Sequence, residues 1–201
     1  MAATDALTSL ANRSTFTAAL ERELARSTRS GQPMSLVMFD LDEFKQINDQ
    51  HGHQAGDEAL RDVAEALTLA CRDLDTAARY GGEEFVVILP DCGPERSVQV
   101  AERLRAALAG AAAARALTAS AGVARYPADA TDLKTLIRAA DDALLISKRT
   151  GRNRPPPRRP EPAGRLLMPE HRDTPQGLAQ VGVPANSRGP NQPGQRVGAV
   201  R

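Results

Sequence analysis

An α/β sandwich of the ferredoxin-like kind, with helices flanking one central sheet, is the fold class this sequence predicts. Three observations carry it. Segments with helical spacing of apolar residues alternate with short β-rich runs over residues 1–153. Two neighbouring β-rich runs are joined by Gly81-Gly82, which reads as a hairpin. The resulting order is helix, strand, helix, hairpin, helix, strand, helix, which sets helices between central strands.

Each element has its own local signal. Phe16, Leu20 and Leu24 lie on one stripe of a first helix that should stop near Gly31. The run MSLVMFDL (34–41) is short, apolar and bounded by turn residues, hence a buried strand. Glu43-Phe44-Lys45 opens a short helix directly after it, and Leu60, Val63, Leu67 and Ala70 recur at helical spacing in a longer one. TAARY (76–80) and EFVVIL (84–89) are the hairpin strands, and the glycines between them are expected to supply positive φ. Pro94 suits the first turn of the next helix, which turns Val98, Ala101, Leu104 and Leu108 inward. LTASAGVARY (117–126) is a further strand. Leu133, Leu136, Ile137, Ala140 and Leu144 line the last helix.

Composition narrows the function classes. Hydrophobic residues make up 41% and aromatics only 3%, so the core is aliphatic. The net charge of +1 conceals a domain of −4 over residues 1–153 and a tail of +5 over residues 154–201. A slightly acidic domain argues against a nucleic-acid-binding face. Apolar runs fall short of the roughly eighteen residues a membrane span needs, and Met1–Leu10 shows no signal-peptide pattern, so a cytoplasmic location is expected. Cys71 and Cys92 have neither disulfide-framework nor metal-ligand spacing. Ten of the fourteen prolines fall after Asn153, and this Pro/Arg/Gly-rich tail is expected to be disordered.

Carboxylates gather where chemistry can use them. Asp40 ends an apolar strand, Asp42 follows on the same face, and Glu83 and Glu84 stand at the mouth of the hairpin. If the two strands are neighbours, Asp40 and Glu83 converge at one end of the sheet. Such groups either hold Mg²⁺ as hard oxygen ligands or serve as ordinary turn residues. The amides of the short helix beginning at Glu43, with Lys45 in its first turn, face the same spot and favour phosphate.

Taken together, these segments resemble a known family. FDLDEFKQIND (39–49), GH (52–53), GDEAL (56–60) and RYGGEEF (79–85) resemble the GGDEF domain of diguanylate cyclases, in its GGEEF form. DALTSLANR (5–13), AERLR (101–105), TASAGVA (118–124) and AADDALLISKRTGRN (139–153) match in family order, so the resemblance covers residues 5–153. It implies a central sheet like that of nucleotidyl cyclases and polymerase palms. It further implies an enzyme that condenses two GTP into cyclic di-GMP at a homodimer interface. Asp40, Glu83 and the main-chain carbonyl of Leu41 would then hold Mg²⁺ or Mn²⁺, two ions per site, with Glu83 also the proton acceptor. Lys45 would contact phosphate or the transition state. Asn48 and Asp57 would read guanine, His53 would lie beside the nucleotide, and Gly81 and Gly82 would shape its seat. Lys148 and Arg152 would bind phosphate, although as cations at a helix end they also complement its dipole. Arg72 and Asp75, an RxxD pair, would form an inhibitory site for the product with Arg103. The same resemblance allows one alternative, a catalytically silent or truncated module that binds GTP or cyclic di-GMP. Gly81, Gly82, Glu83 and Glu84 are all present, which favours the active form.

Overall fold

Helix boundaries follow from local chemistry. Asn12 caps the first helix, α1 (Arg13–Ser30), by accepting from the Thr15 N–H, and Gly31 closes it in the left-handed region. The last helix, α5 (Leu133–Arg149), starts with a reciprocal capping box between Asp132 and Thr135. Between them lie β1 (Met34–Asp42), α2 (Phe44–His51), α3 (His53–Ala70), β2 (Thr76–Arg79), β3 (Glu84–Leu89), α4 (Pro94–Ala111) and β4 (Thr118–Tyr126). A short 3-10 turn, Ala113–Arg115, links α4 to β4. The computed structural model describes residues 2–152, all within one compact unit, so the tail expected from residue 154 lies outside the described residues.

The strands form one antiparallel sheet in the order β2-β3-β1-β4, the ferredoxin-like arrangement. Strand β1 is central and buried along its whole length, which is why it reads as a continuous apolar run. Alternation along it feeds two cores. Leu36 and Met38 meet Phe16 and Leu20 of α1 and Leu136, Ala140 and Leu144 of α5. Val37, Phe39 and Leu41 face the other way, onto α2, α3 and α4 through Ile47, Val63, Leu67, Leu104 and Leu108. Helix α5 rides directly on β4. A Cβ on Gly122 would fall 2.3 Å from both the Ala140 carbonyl oxygen and the Leu144 nitrogen.

One expectation of the hairpin is overturned. Neither Gly81 nor Gly82 has positive φ; among the described residues the positive-φ glycines are Gly31, Gly52 and Gly151. The connection is wider than a two-residue turn, with the Tyr80 and Gly81 amides both donating to the Glu84 carbonyl at 2.8 and 3.3 Å. Gly81 instead leaves room for the Glu84 carboxylate, the far end of a flexible side chain that a Cβ there would meet at 2.2 Å and displace.

Candidate active site

Antiparallel register builds the site. Asp40 pairs with Glu84 of β3 and with Ser120 of β4, so the last residues of β1 lie beside the start of β3. The Leu41 amide donates to the Glu83 carbonyl at 3.2 Å, which ties the hairpin mouth to the end of β1. Asp40 and Glu83 therefore converge, as the sequence led us to expect. Asp40 is 6% exposed. Its Oδ2 sits 2.7 Å from Lys148 Nζ, delivered by the last turn of α5.

The electrostatics are those of crowded carboxylates. Burial pushes the Asp40 carboxyl up from its ordinary range, Lys148 opposes that rise, and the nearby charge of Asp42 adds to it. Glu83 is likewise pushed up, first by burial and then by the charge of Asp40, with Lys148 again opposing. Two acids that resist ionising side by side favour a cation between them. No grouping of three or more His, Cys, Asp or Glu side chains suited to a metal occurs among the described residues. Two carboxylates with a main-chain carbonyl would make a donor set of the kind that suits Mg²⁺, an ion that keeps water and substrate phosphate as its other ligands.

Asp42 plays a different part from its neighbour. Its carboxylate accepts from Thr118 Oγ1 at 2.8 Å and Ser120 Oγ at 2.7 Å, so it clamps β4 to the end of β1. Glu43 follows in the left-handed region, φ 58°, and turns the chain into α2 with no side-chain cap on that helix. Lys45 is exposed in the first turn of α2, and His53 is exposed at the start of α3. Asn48 and Asp57 come from different helices, and the Asn48 amide lies over Gly56, the residue before Asp57. Arg152 lies beyond α5, with its guanidinium 3.7 Å from the Glu43 carboxylate and both groups about half exposed.

Some contributors carry no obvious signal in the sequence. Arg79 grips the Gly82 carbonyl with Nε and Nη2, at 3.2 and 2.7 Å, while its Nη1 meets Asp5 Oδ1 at 3.1 Å. Asp5 also accepts from the Thr8 amide and hydroxyl. The hairpin turn is thus fastened to the N-terminal segment. Arg79 and Asp5 both stand in the matched motifs, but only the fold brings them together.

The proposed inhibitory residues sit at the far end of α3. The Asp75 carboxylate accepts from the Arg72 amide at 2.9 Å, and the Asp75 amide donates to the Arg72 carbonyl at 2.9 Å. Arg103, from α4, donates to the Ala70 carbonyl at 3.1 Å. Both cysteines are free thiols. Burial is the first cause lifting Cys71, to about 11, with Asp75 adding to the rise and Arg103 and Arg72 opposing it.

Comparison with known proteins agrees with this architecture. The diguanylate cyclase GGDEF domain model matches residues 2–154. Diguanylate cyclase DosC of Escherichia coli K12 is 40% identical over 156 residues, covering 75% of this chain and 34% of that protein. The chain thus spans about a third of the length of such curated relatives. Among solved structures, the GGDEF domain of DgcB from Caulobacter crescentus in complex with c-di-GMP superposes with a TM-score of 0.71 and 35% identity. It covers 77% of this chain and 94% of that one. The active GGEEF domain of a diguanylate cyclase from Vibrio cholerae gives a TM-score of 0.70 and 34% identity, covering 75% and 99%. With its hairpin acids, its β1 aspartate and its sheet order all in place, the chain belongs to the GGDEF domain family of diguanylate cyclases.

Proposed function

We propose that this domain condenses two GTP molecules into cyclic di-GMP and two pyrophosphates, each half of a homodimer presenting one GTP to the other. The observation that carries the reading is the convergence of Asp40 and Glu83 at adjoining strand ends, with Lys148 reaching Asp40 at 2.7 Å. Asp40, Glu83 and the Leu41 carbonyl would hold Mg²⁺ or Mn²⁺, two ions per site, which when bound lower the pKa of the attacking hydroxyl and neutralise developing phosphate charge.

The remaining work falls to the chain itself. Glu83, beside Asp40 at the hairpin mouth, takes the proton of the ribose 3′-hydroxyl as general base. The 3′-oxygen attacks the α-phosphate of the partner's GTP, and the bond to pyrophosphate breaks. Lys148 exchanges the Asp40 carboxylate for phosphate oxygens, and Arg152 and Lys45 reach the same anion from the end of α5 and the start of α2. Gly81 and Gly82 keep the hairpin mouth open to the nucleotide, with His53 alongside it. Guanine is read by Asn48 and Asp57, a carboxylate accepting from the N1 and N2 donors and an amide donating to an acceptor on the base. Arg72, Asp75 and Arg103 form a separate site where the product inhibits. GTP is an intracellular nucleotide, which suits a cytoplasmic domain; no helix among the described residues is long and apolar enough to cross a membrane.

The direct test is purified protein with GTP and Mg²⁺ across a protein concentration series, with product identified by mass. Cyclic di-GMP formed with a rate per protein that rises with concentration is the expected result. GTP bound without turnover at any concentration would leave a binding module instead.

A further inference from the structure

Gly56 poses a question that helix chemistry does not answer. It lies in α3 among residues that all favour helix more than glycine does, and alanine there would be better by propensity. Its φ is not positive, so backbone freedom is not the reason for it. It is buried, and its surroundings explain it. A Cβ built on Gly56 would fall 2.1 Å from Asn48 Oδ1, 3.0 Å from Asn48 Cγ and 3.1 Å from the Phe44 ring. The Asn48 amide is therefore seated in the space a side chain at position 56 would fill.

That seat has a consequence for the amide. Among the described residues no hydrogen bond holds the Asn48 side chain, and its Oδ1 lies over the bare backbone of α3 at Gly56. With Oδ1 turned onto the helix, Nδ2 is the other end of the planar group and the one free to donate. Asp57, the next residue after Gly56, is half-buried in the same turn. The absence of a side chain at Gly56 thus lets the Asn48 amide sit against α3 one residue before Asp57, although the two come from helices joined at Gly52.

We propose that Gly56 is a specificity-determining position, acting through Asn48 to set the amide donor beside Asp57 for a guanine base. The inference rests on the reading of Asn48 and Asp57 as guanine contacts given above. The collision at position 56 is chiefly with the far end of a flexible side chain, so the fold can absorb a methyl group there while the amide cannot keep its place. Phe44 needs to give by only a few tenths of an ångström.

The experiment uses the full chain with Mg²⁺ and measures binding of non-hydrolysable GTP and ATP analogues to wild type, Gly56→Ala, Asn48→Ala and the double variant. Gly56→Ala should melt at or above the wild-type temperature. It should lose roughly ten- to a hundredfold in GTP-analogue affinity, the worth of one buried polar contact left unpaired, with the ATP analogue nearly unaffected. In the Asn48→Ala background the same substitution should change the GTP-to-ATP ratio by less than about twofold, because its target is gone. A selective wild type with an equally selective Gly56→Ala overturns this proposal alone. A variant that weakens both nucleotides equally, or does so in both backgrounds, shows a packing role and also overturns it. Failure of Gly56→Ala to fold would mean that Asn48 does not yield, and overturns it as well. A wild type that binds both analogues equally overturns the guanine reading of Asn48 and Asp57 itself, and this proposal with it.

Discussion

Lys148 Nζ lies 2.7 Å from Asp40 Oδ2, so a cation from α5 already stands at the carboxylate that a metal would need. The ammonium is one-third exposed while the carboxylate is nearly covered. The pair is therefore neither a free surface bridge nor a fully buried one. It holds the acids of the site in check, and on the function proposed above it is exchanged for phosphate and metal when nucleotide arrives.

Lys148→Gln should separate these roles. Without nucleotide, loss of the ammonium leaves Asp40 and Glu83 uncompensated, and the fold should lose about 1–3 kcal/mol, between the values for surface and buried pairs. Mg²⁺ should then bind the nucleotide-free protein more tightly, because its competitor is gone. GTP should bind roughly ten- to a hundredfold more weakly for want of a charged hydrogen bond to phosphate. Titration calorimetry with Mg²⁺ alone and with a GTP analogue reads both effects. Weaker Mg²⁺ binding in the variant would count against competition at Asp40.

Asp40→Asn and Glu83→Gln should abolish turnover by at least about a hundredfold, the scale of removing one preorganised electrostatic group. Stability should not suffer. Both carboxyls are pushed up in the folded chain, with burial the first cause, so their charged forms oppose folding at neutral pH. For a raised carboxylic pKa, this cost is present above the folded value and fades as pH falls toward the ordinary one. The amide variants remove it, and should melt at or above wild type at pH 7 and level with it at low pH. Mg²⁺ should raise the melting temperature of wild type and neither variant. A marked loss of stability at pH 7 would show that the carboxylates hold the sheet together instead.

Much of this was legible in the residues, and the exceptions share a cause. EFVVIL is strand β3 to the residue, because a run buried on both faces announces itself. Asp40 and Glu83 could be paired in advance, since Asp40 lies near the end of β1 and Glu83 directly precedes β3, and antiparallel neighbours bring such positions together. The φ values at Gly81-Gly82 could not be read, because a two-glycine turn signal does not distinguish a tight turn from a wider one. Asp42 looked like a second member of the carboxylate cluster. Its hydroxyl partners lie 76 and 78 residues away, and only the register of β1 against β4 reveals them. The Arg79–Asp5 link and the Gly56 seat under Asn48 are likewise products of tertiary contact. Local pattern fixes which residues alternate or cap. It says little about which long-range neighbour a polar group finds.

Gly122→Ala should be costly where Gly56→Ala is not. At Gly122 the collision is with the backbone of α5, at 2.3 Å on two atoms, and a helix backbone cannot swing aside as an amide can. Relief requires α5 to rise from β4, which we expect to cost about 1–3 kcal/mol in overpacking. The same movement carries Lys148 away from Asp40. Urea unfolding should show a lower midpoint with an unchanged slope. A midpoint equal to wild type would mean that α5 is seated more loosely than the contact distances imply.

If Arg72 and Asp75 form the product site proposed above, the pair divides into a recognition half and a structural half, and two substitutions should tell them apart. Asp75 closes its own turn: its carboxylate takes the Arg72 amide at 2.9 Å, and its amide reaches the Arg72 carbonyl at 2.9 Å. Arg72 contributes only main-chain atoms to that closure, which leaves its guanidinium for a ligand. Arg103 stands beside it, held to the Ala70 carbonyl at the end of α3. Arg72→Ala should therefore keep the melting temperature within a degree or two. It should weaken cyclic di-GMP binding by about ten- to a hundredfold, the loss of one charged bidentate contact. Asp75→Ala removes the hydrogen bond that shapes the turn and should cost about 1 kcal/mol of stability as well as product affinity. Asp75→Asn retains an acceptor for the Arg72 amide, so it should recover the stability even where it does not recover binding. The measurements are equilibrium binding of cyclic di-GMP and thermal melts for all three variants. Unchanged product affinity in Arg72→Ala would remove this site from regulation. A large loss of stability in the same variant would show that the guanidinium supports the fold through a contact of its own.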